Sequence, residues 1–206
     1  MATTTTNYGF DIPQSTDLVK DGATAIATLG QDIDTAMNTA LGTKKAGMVL
    51  LNTTSFSGVS SQSINDVFSA TYDNYKIMII HTNVDNVALN YRMRVSGADN
   101  STANYTHQRY GATSTSLIAS RSVSQTSGII ATVDAANGTG FASIDMFRPF
   151  LAETTYSVSN TAQGTTGLTA QSYNNIHNVA SSFTGFTFFP SSGNMTGYVS
   201  VYGYNK

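Results

Sequence analysis

The chain has 206 residues, ten basic and twelve acidic, for a formal charge of −2, which suits one ordinary domain with a short appendage. Charged residues are only 11% of it, whereas Ser, Thr and Asn supply 24, 30 and 17 residues. Solubility therefore rests on hydroxyls and amides, while 40% hydrophobic residues, with 11 Tyr and 10 Phe, can build a core. No basic run exceeds Lys44-Lys45, so the footprint for gripping a phosphate backbone is missing and nucleic acid is excluded as a partner. The absence of cysteine excludes disulfides and thiolate metal sites. The start MATTTTNYGF carries no secretory signal, and no apolar run is long enough to span a bilayer, so membrane insertion is not expected.

Residues 1–14 read as a Thr-rich attachment arm whose apolar members, Tyr8, Phe10 and Ile12, cannot form a core alone. They suit a tether that fills pockets on a partner. Residues 15–45 read as a helical stem. Ser15 and Thr16 offer N-cap oxygens, Asp17 and Asp21 favour the first turns, and Gly42 is placed to end a helix over 17–41. Val19, Gly22, Ile26, Leu29, Ile33, Ala36 and Ala40 step alternately by three and four, a heptad seam. Val19, Ile26, Leu29 and Ile33 are its large members and the expected oligomerisation residues, with a homotrimer as the favoured assembly. A single amphipathic helix lying on its own domain is the other arrangement this pattern permits.

After Lys45 the period becomes strand-like. Strands are predicted at 47–52, 75–82, 87–96, 106–111, 128–134, 140–147, 156–160, 168–173, 183–189 and 198–204, separated by loop formers such as Asp85-Asn86, Asp99-Asn100-Ser101, Asn137-Gly138 and 190–194. Ten short strands at this spacing predict a mainly β fold, with an antiparallel β-sandwich of jelly-roll type over 46–206. The run from Tyr75 to Ile80 is apolar on both faces after Lys76, which predicts a strand covered on both sides.

The string from Phe10 to Ala23, FDIPQSTDLVKDGA, followed by Ile26, Leu29-Gly30 and Ile33-Asp34-Thr35, resembles the N-terminal region of tailed-bacteriophage virion proteins of the tail fibre or minor tail type. FSATYDNYKI from Phe68 and GYVSVYGY from Gly197 resemble the β-rich domain that follows that helix in many of them. The resemblance implies a helical stem plus a β-domain in a virion. It brings no shared catalytic or binding motif, so no functional residue is carried over.

Catalysis finds little support. A glycan-cleaving spike needs two carboxylates across the scissile bond, yet there is one glutamate, Glu153, and of the eleven aspartates Asp73, Asp85, Asp99 and Asp134 sit beside turn residues. Asp145 lies near Arg148 and reads as its ion-pair partner. His81, His107 and His177 are far apart and form no ligand-spaced pair, so they read as satisfied strand-end or loop residues, and neither a metal nor another cofactor is expected. Binding fits better. The segments 104–110 and 173–178 combine aromatic rings with planar amides, the side chains that hold sugars, and Tyr105, Arg109, Tyr173 and His177 are the candidates for contacting a host surface glycan.

The expectation is a non-enzymatic phage virion protein, a short trimeric tail fibre held to other virion proteins by its arm. The alternative is a capsid fibre or head decoration protein on the capsid surface, with a mainly structural role.

Overall fold

The change of period after the helix reappears as a change of architecture. A computed structural model describes residues 3–6, 8–12, 18–42, 47–85, 87–113, 115–132, 138–164 and 168–206, in two units, Met1–Gly47 and Met48–Lys206. Ser15, Thr16, Asp17, Lys44, Lys45, Asn86 and Asn137 lie outside the described residues.

In the first unit the arm is folded. Strand β1 (Thr3–Thr4) pairs antiparallel with β2 (Asp11–Ile12). Thr5 holds the connection: its amide donates to the Phe10 carbonyl at 2.8 Å, its carbonyl accepts from the Gly9 amide at 3.0 Å, and its hydroxyl accepts from the Phe10 amide at 2.9 Å. Gly9 takes a φ of +68° there, which only glycine adopts without strain. Tyr8 stacks on Phe10 with ring centroids 5.6 Å apart. Helix α1 runs Val19–Gly42, so Gly42 is its last residue. Of the expected seam, Ile26 is 66% exposed, Ile33 is 39% exposed and Leu29 is half-buried, while the Val19 side chain lies outside the described set. No described helix is long and apolar enough to cross a membrane.

The second unit contains β3 (Met48–Val59), β4 (Gln62–Ile64), β5 (Asn74–Asn83), β6 (Ala88–Val95), β7 (Ala98–Asp99), β8 (Tyr105–Thr113), β9 (Ser116–Gln125), β10 (Gly128–Thr132), β11 (Thr139–Phe147), β12 (Thr155–Gln163), β13 (Thr169–His177), β14 (Gly185–Pro190) and β15 (Met195–Tyr204). They form two antiparallel sheets. The large one has the order β3-β15-β5-β11-β12-β13-β8-β9, and the small one β10-β6-β14-β4 with β7 added on β6. Each of the ten predicted strands overlaps one of these. Strands β4, β7 and β9 were not predicted: the first two are three and two residues long, and β9 is a Ser-rich edge strand with little apolar alternation.

One face of the large sheet and one face of the small sheet share a core. From the large sheet come Phe56, Tyr75, Ile77, Ile79, Ile144, Met146, Val199 and Val201, and from the small one Ile64, Leu89, Tyr91, Met93, Phe186 and Phe188. Phe56 meets Phe188 edge-on at 5.3 Å across the two layers. Strand β5 alternates strictly: Tyr75, Ile77, Ile79, His81 and Asn83 are buried inward, whereas Lys76, Met78, Ile80 and Thr82 are half-buried on the outer face. The strand expected to be covered on both sides is therefore fully covered on one.

The inner face changes character along the large sheet. On β12 and β13 it consists of Thr155, Ser157, Ser159, Thr161, Gln163, Thr169, Gln171, Tyr173, Asn175 and His177, all buried. Two of them, Ser159 and Asn175, serve the edge strand β10, where a register shift between Ile129 and Ala131 interrupts the ladder with β6. Ser159 donates to the Ile130 carbonyl at 2.7 Å, and Asn175 bonds both backbone groups of Ile129 at 3.0 Å. Side chains thus satisfy backbone groups that an edge strand would otherwise leave open. Gly128 lies under the Tyr91 ring, and a Cβ there would come within 2.3 Å of it.

Candidate ligand-binding groove

The two segments singled out for binding, 104–110 and 173–178, lie side by side, because β8 pairs with β13 and opposes Tyr105 to His177 and Arg109 to Tyr173. All four candidate residues, however, are on the inner face. Tyr105 and His177 are fully buried and Tyr173 is 1% exposed, so none of these three presents a surface to a receptor. The Tyr105 hydroxyl accepts from the Met93 amide and donates to the Asn100 carbonyl, each at 2.9 Å, and so ties β8 to β6. His177 stacks on Tyr105 at 4.0 Å and touches Phe183 at 5.0 Å. Burial pushes its pKa down to about 4 and keeps the ring neutral. Half-buried Arg109 reaches Thr132 Oγ1 at 3.5 Å, and that hydroxyl is hydrogen-bonded to Tyr173, which donates to Gln171.

His177 ends β13, as a strand-end residue, but His81 and His107 lie inside β5 and β8, and the rings are not satisfied as expected. All three are buried in strands, and among the described residues both ring nitrogens of His177, Nδ1 of His107 and Nε2 of His81 have no hydrogen-bond partner. Burial lowers the pKa of His81 and His107 too, with the Arg109 charge adding to the effect at His107. The expected Asp145–Arg148 pair is absent. Asp145 instead pairs with Lys76 at 3.0 Å and accepts from the Tyr204 hydroxyl at 2.5 Å, while Arg148 pairs with Glu153 at 2.8 Å. Cross-strand register places Asp145 opposite Lys76, and that contact outweighs nearness in sequence. Among the described residues no three His, Asp or Glu side chains cluster as a metal site would require.

Because side chains alternate, the residues flanking the four candidates face the other way. On the outer face a groove of ≈ 420 Å³ is lined by Thr106, Gln108, Arg121, Tyr156, Val158, Asn174 and Ile176. Register builds it as two adjacent rows. One runs Phe147, Tyr156, Ile176, Thr106 across β11, β12, β13 and β8, and the next runs Asp145, Val158, Asn174, Gln108, Arg121 across the same strands and on to β9. The first row is apolar and open over Phe147, Tyr156 and Ile176, with Tyr156 51% exposed, and ends in half-buried Thr106. The second ends in two amides and a guanidinium. An exposed aromatic ring beside planar amides makes a surface for a polyhydroxylated ligand with one apolar face.

Sequence reasoning reached Gln108 and Asn174 as members of the right segments and missed Tyr156, Val158 and Arg121. No signal in the sequence singles out Arg121, because ion pairs in this domain follow cross-strand register, as Lys76 and Asp145 do, and not nearness in sequence.

In the first unit, the expected attachment residues Tyr8 and Phe10 line a groove of ≈ 330 Å³ with Ile33, Ala36, Met37 and Ala40 of α1. The arm therefore lies beside the C-terminal half of the expected seam. Ile12 is 39% exposed.

Searches against protein-family models, curated proteins and solved structures find no match for this chain.

Proposed function

We propose that this chain is a non-enzymatic bacteriophage virion protein, a short tail fibre that trimerises through α1 and contacts a host surface glycan through the outer groove of its β-domain. The observation that carries the reading is the strand order. With β7–β9 and β12–β13 set aside as insertions, the remaining eight strands run first-eighth-third-sixth in the large sheet and second-seventh-fourth-fifth in the small one. We read that interleaving as two Greek keys, the pattern of a jelly roll, an architecture found in viral and lectin domains. The groove then lies on the part of the large sheet that the insertions add.

The helix supports the stem reading. Most of a helix's stability in a protein comes from packing its apolar face, and this helix of 24 residues leaves Ile26, Ile33 and Met37 open. Association of identical seams would bury them. The arm, through Tyr8, Phe10 and Ile12, is the element that docks on other virion proteins. The same strand order also favours a second reading, a capsid fibre or head decoration protein, because jelly rolls build capsids as well.

Counting copies per particle separates the two, since a tail fibre occurs in few copies and a shell decoration in many. Adsorption of particles carrying Tyr156→Ala tests the receptor role itself. Normal adsorption at normal occupancy would count against the tail-fibre reading.

A further inference from the structure

From the groove's unpartnered guanidinium we infer that its ligand is an acidic oligosaccharide, bound with a sugar carboxylate on Arg121 and a pyranose face on Tyr156; this rests on the glycan-binding reading above.

Three observations carry it. First, of the seven described basic side chains in the β-domain, six have partners. Lys76 pairs with Asp145, Arg94 with Asp99, Arg148 with Glu153 and Lys206 with Asp73. Arg92 donates to the Thr126 carbonyl and lies over the Phe189 ring, and Arg109 reaches Thr132. Arg121 alone has neither an ion pair nor a side-chain hydrogen bond among the described residues, and it is the one that stands on the groove wall.

Second, the two residues before it in the row, Asn174 and Gln108, also direct amides with no protein partner among the described residues toward the same space. The nearest carboxylate in the row, Asp145, is taken up by Lys76 and Tyr204. Nothing in the lining opposes an anion.

Third, the dimensions fit. Tyr156 on β12 and Arg121 on β9 stand three strand spacings apart, about 14 Å, which is the reach of a short oligosaccharide and not of a single ring. The lone guanidinium forms a bidentate pair with a carboxylate and balances its single charge, whereas a phosphate monoester brings nearly two charges to one cation. The chain's net charge of −2 offers no general attraction for anions, so recognition would be local to Arg121.

The test uses the full chain and an array of trisaccharides of galacturonate, glucuronate and mannuronate, each paired with its methyl ester and its neutral hexose counterpart, with affinities by calorimetry. At least one uronate should bind about tenfold or more tightly than its methyl ester. Arg121→Gln should erase that preference, Arg121→Lys should restore part of it, and Tyr156→Ala should weaken acid and ester alike. Neutral and esterified sugars bound as tightly as the acids, with Tyr156 required and Arg121→Gln silent, would overturn the acidic-ligand inference and leave the glycan-binding reading standing. Absence of binding by every member would overturn both. Arg121 is exposed on an edge strand, so its variants retain the fold, and unchanged melting profiles verify this.

Discussion

Asn175 holds both backbone groups of Ile129: its Nδ2 donates to the Ile129 carbonyl and its Oδ1 accepts from the Ile129 amide, each at 3.0 Å. One side chain of the large sheet thereby stands in for a neighbouring strand along the open edge of β10. Its sequence neighbour Asn174 faces the opposite way, into the outer groove. Asn175→Ala leaves a backbone donor and an acceptor without partners, at a cost of roughly 1 to 3 kcal/mol for each buried group. Asn174→Ala should stay within about 0.5 kcal/mol of wild type, as surface changes do. Urea midpoints of the two variants measure the contrast.

A second prediction concerns acid. His177 is neutral in the fold because burial between Tyr105 and Phe183 lowers its pKa to about 4. Its unfolded value is about 6.5. Between these values the unfolded chain binds the extra proton, so the contribution is fully present above pH 6.5 and is lost as pH falls toward 4. His81 and His107 shift in the same direction and add to the loss. Urea midpoints should therefore fall steadily from pH 7 to pH 4, and His177→Gln should flatten part of that slope.

The contrast between Asn174 and Asn175 also shows how far the sequence could be read. Helix α1, the mainly β character and ten strands were visible because periodicity marks them. Which face of a strand points inward was not visible on β12 and β13. The usual rule places Tyr156 and Val158 inside and Ser157 and Ser159 outside, and the fold does the reverse, because Ser159 bonds the Ile130 carbonyl and Ser157 the Tyr91 hydroxyl. A one-residue change of parity moves every side chain to the other face. Tyr105, Tyr173 and His177 take the inner parity and are buried, while the outward-facing residues Gln108 and Asn174 lie next to positions that the sequence did emphasise.

The stem gives a third prediction. Ile26 and Ile33 are open on α1, and burying each in a bundle should contribute roughly 1.5 to 3 kcal/mol. Sedimentation of wild type should show a trimer, and Ile26→Asp combined with Ile33→Asp should give a monomer. An unchanged oligomer in the double variant would refute the seam.

The arm gives a fourth. Phe10 stacks on Tyr8 beside Ile33, Ala36 and Ala40. Removal of residues 1–14 should leave a folded oligomer of somewhat lower melting temperature that is missing from purified particles. Normal occupancy of the truncated chain in particles would contradict the docking role.

The central claim, that the outer groove of the β-domain contacts the host, is tested most directly by adsorption kinetics. Particles carrying Tyr156→Ala with Gln108→Ala, at normal copy number and with an unchanged melting profile of the isolated protein, should adsorb at least tenfold more slowly than wild type. Adsorption at the wild-type rate would contradict the claim.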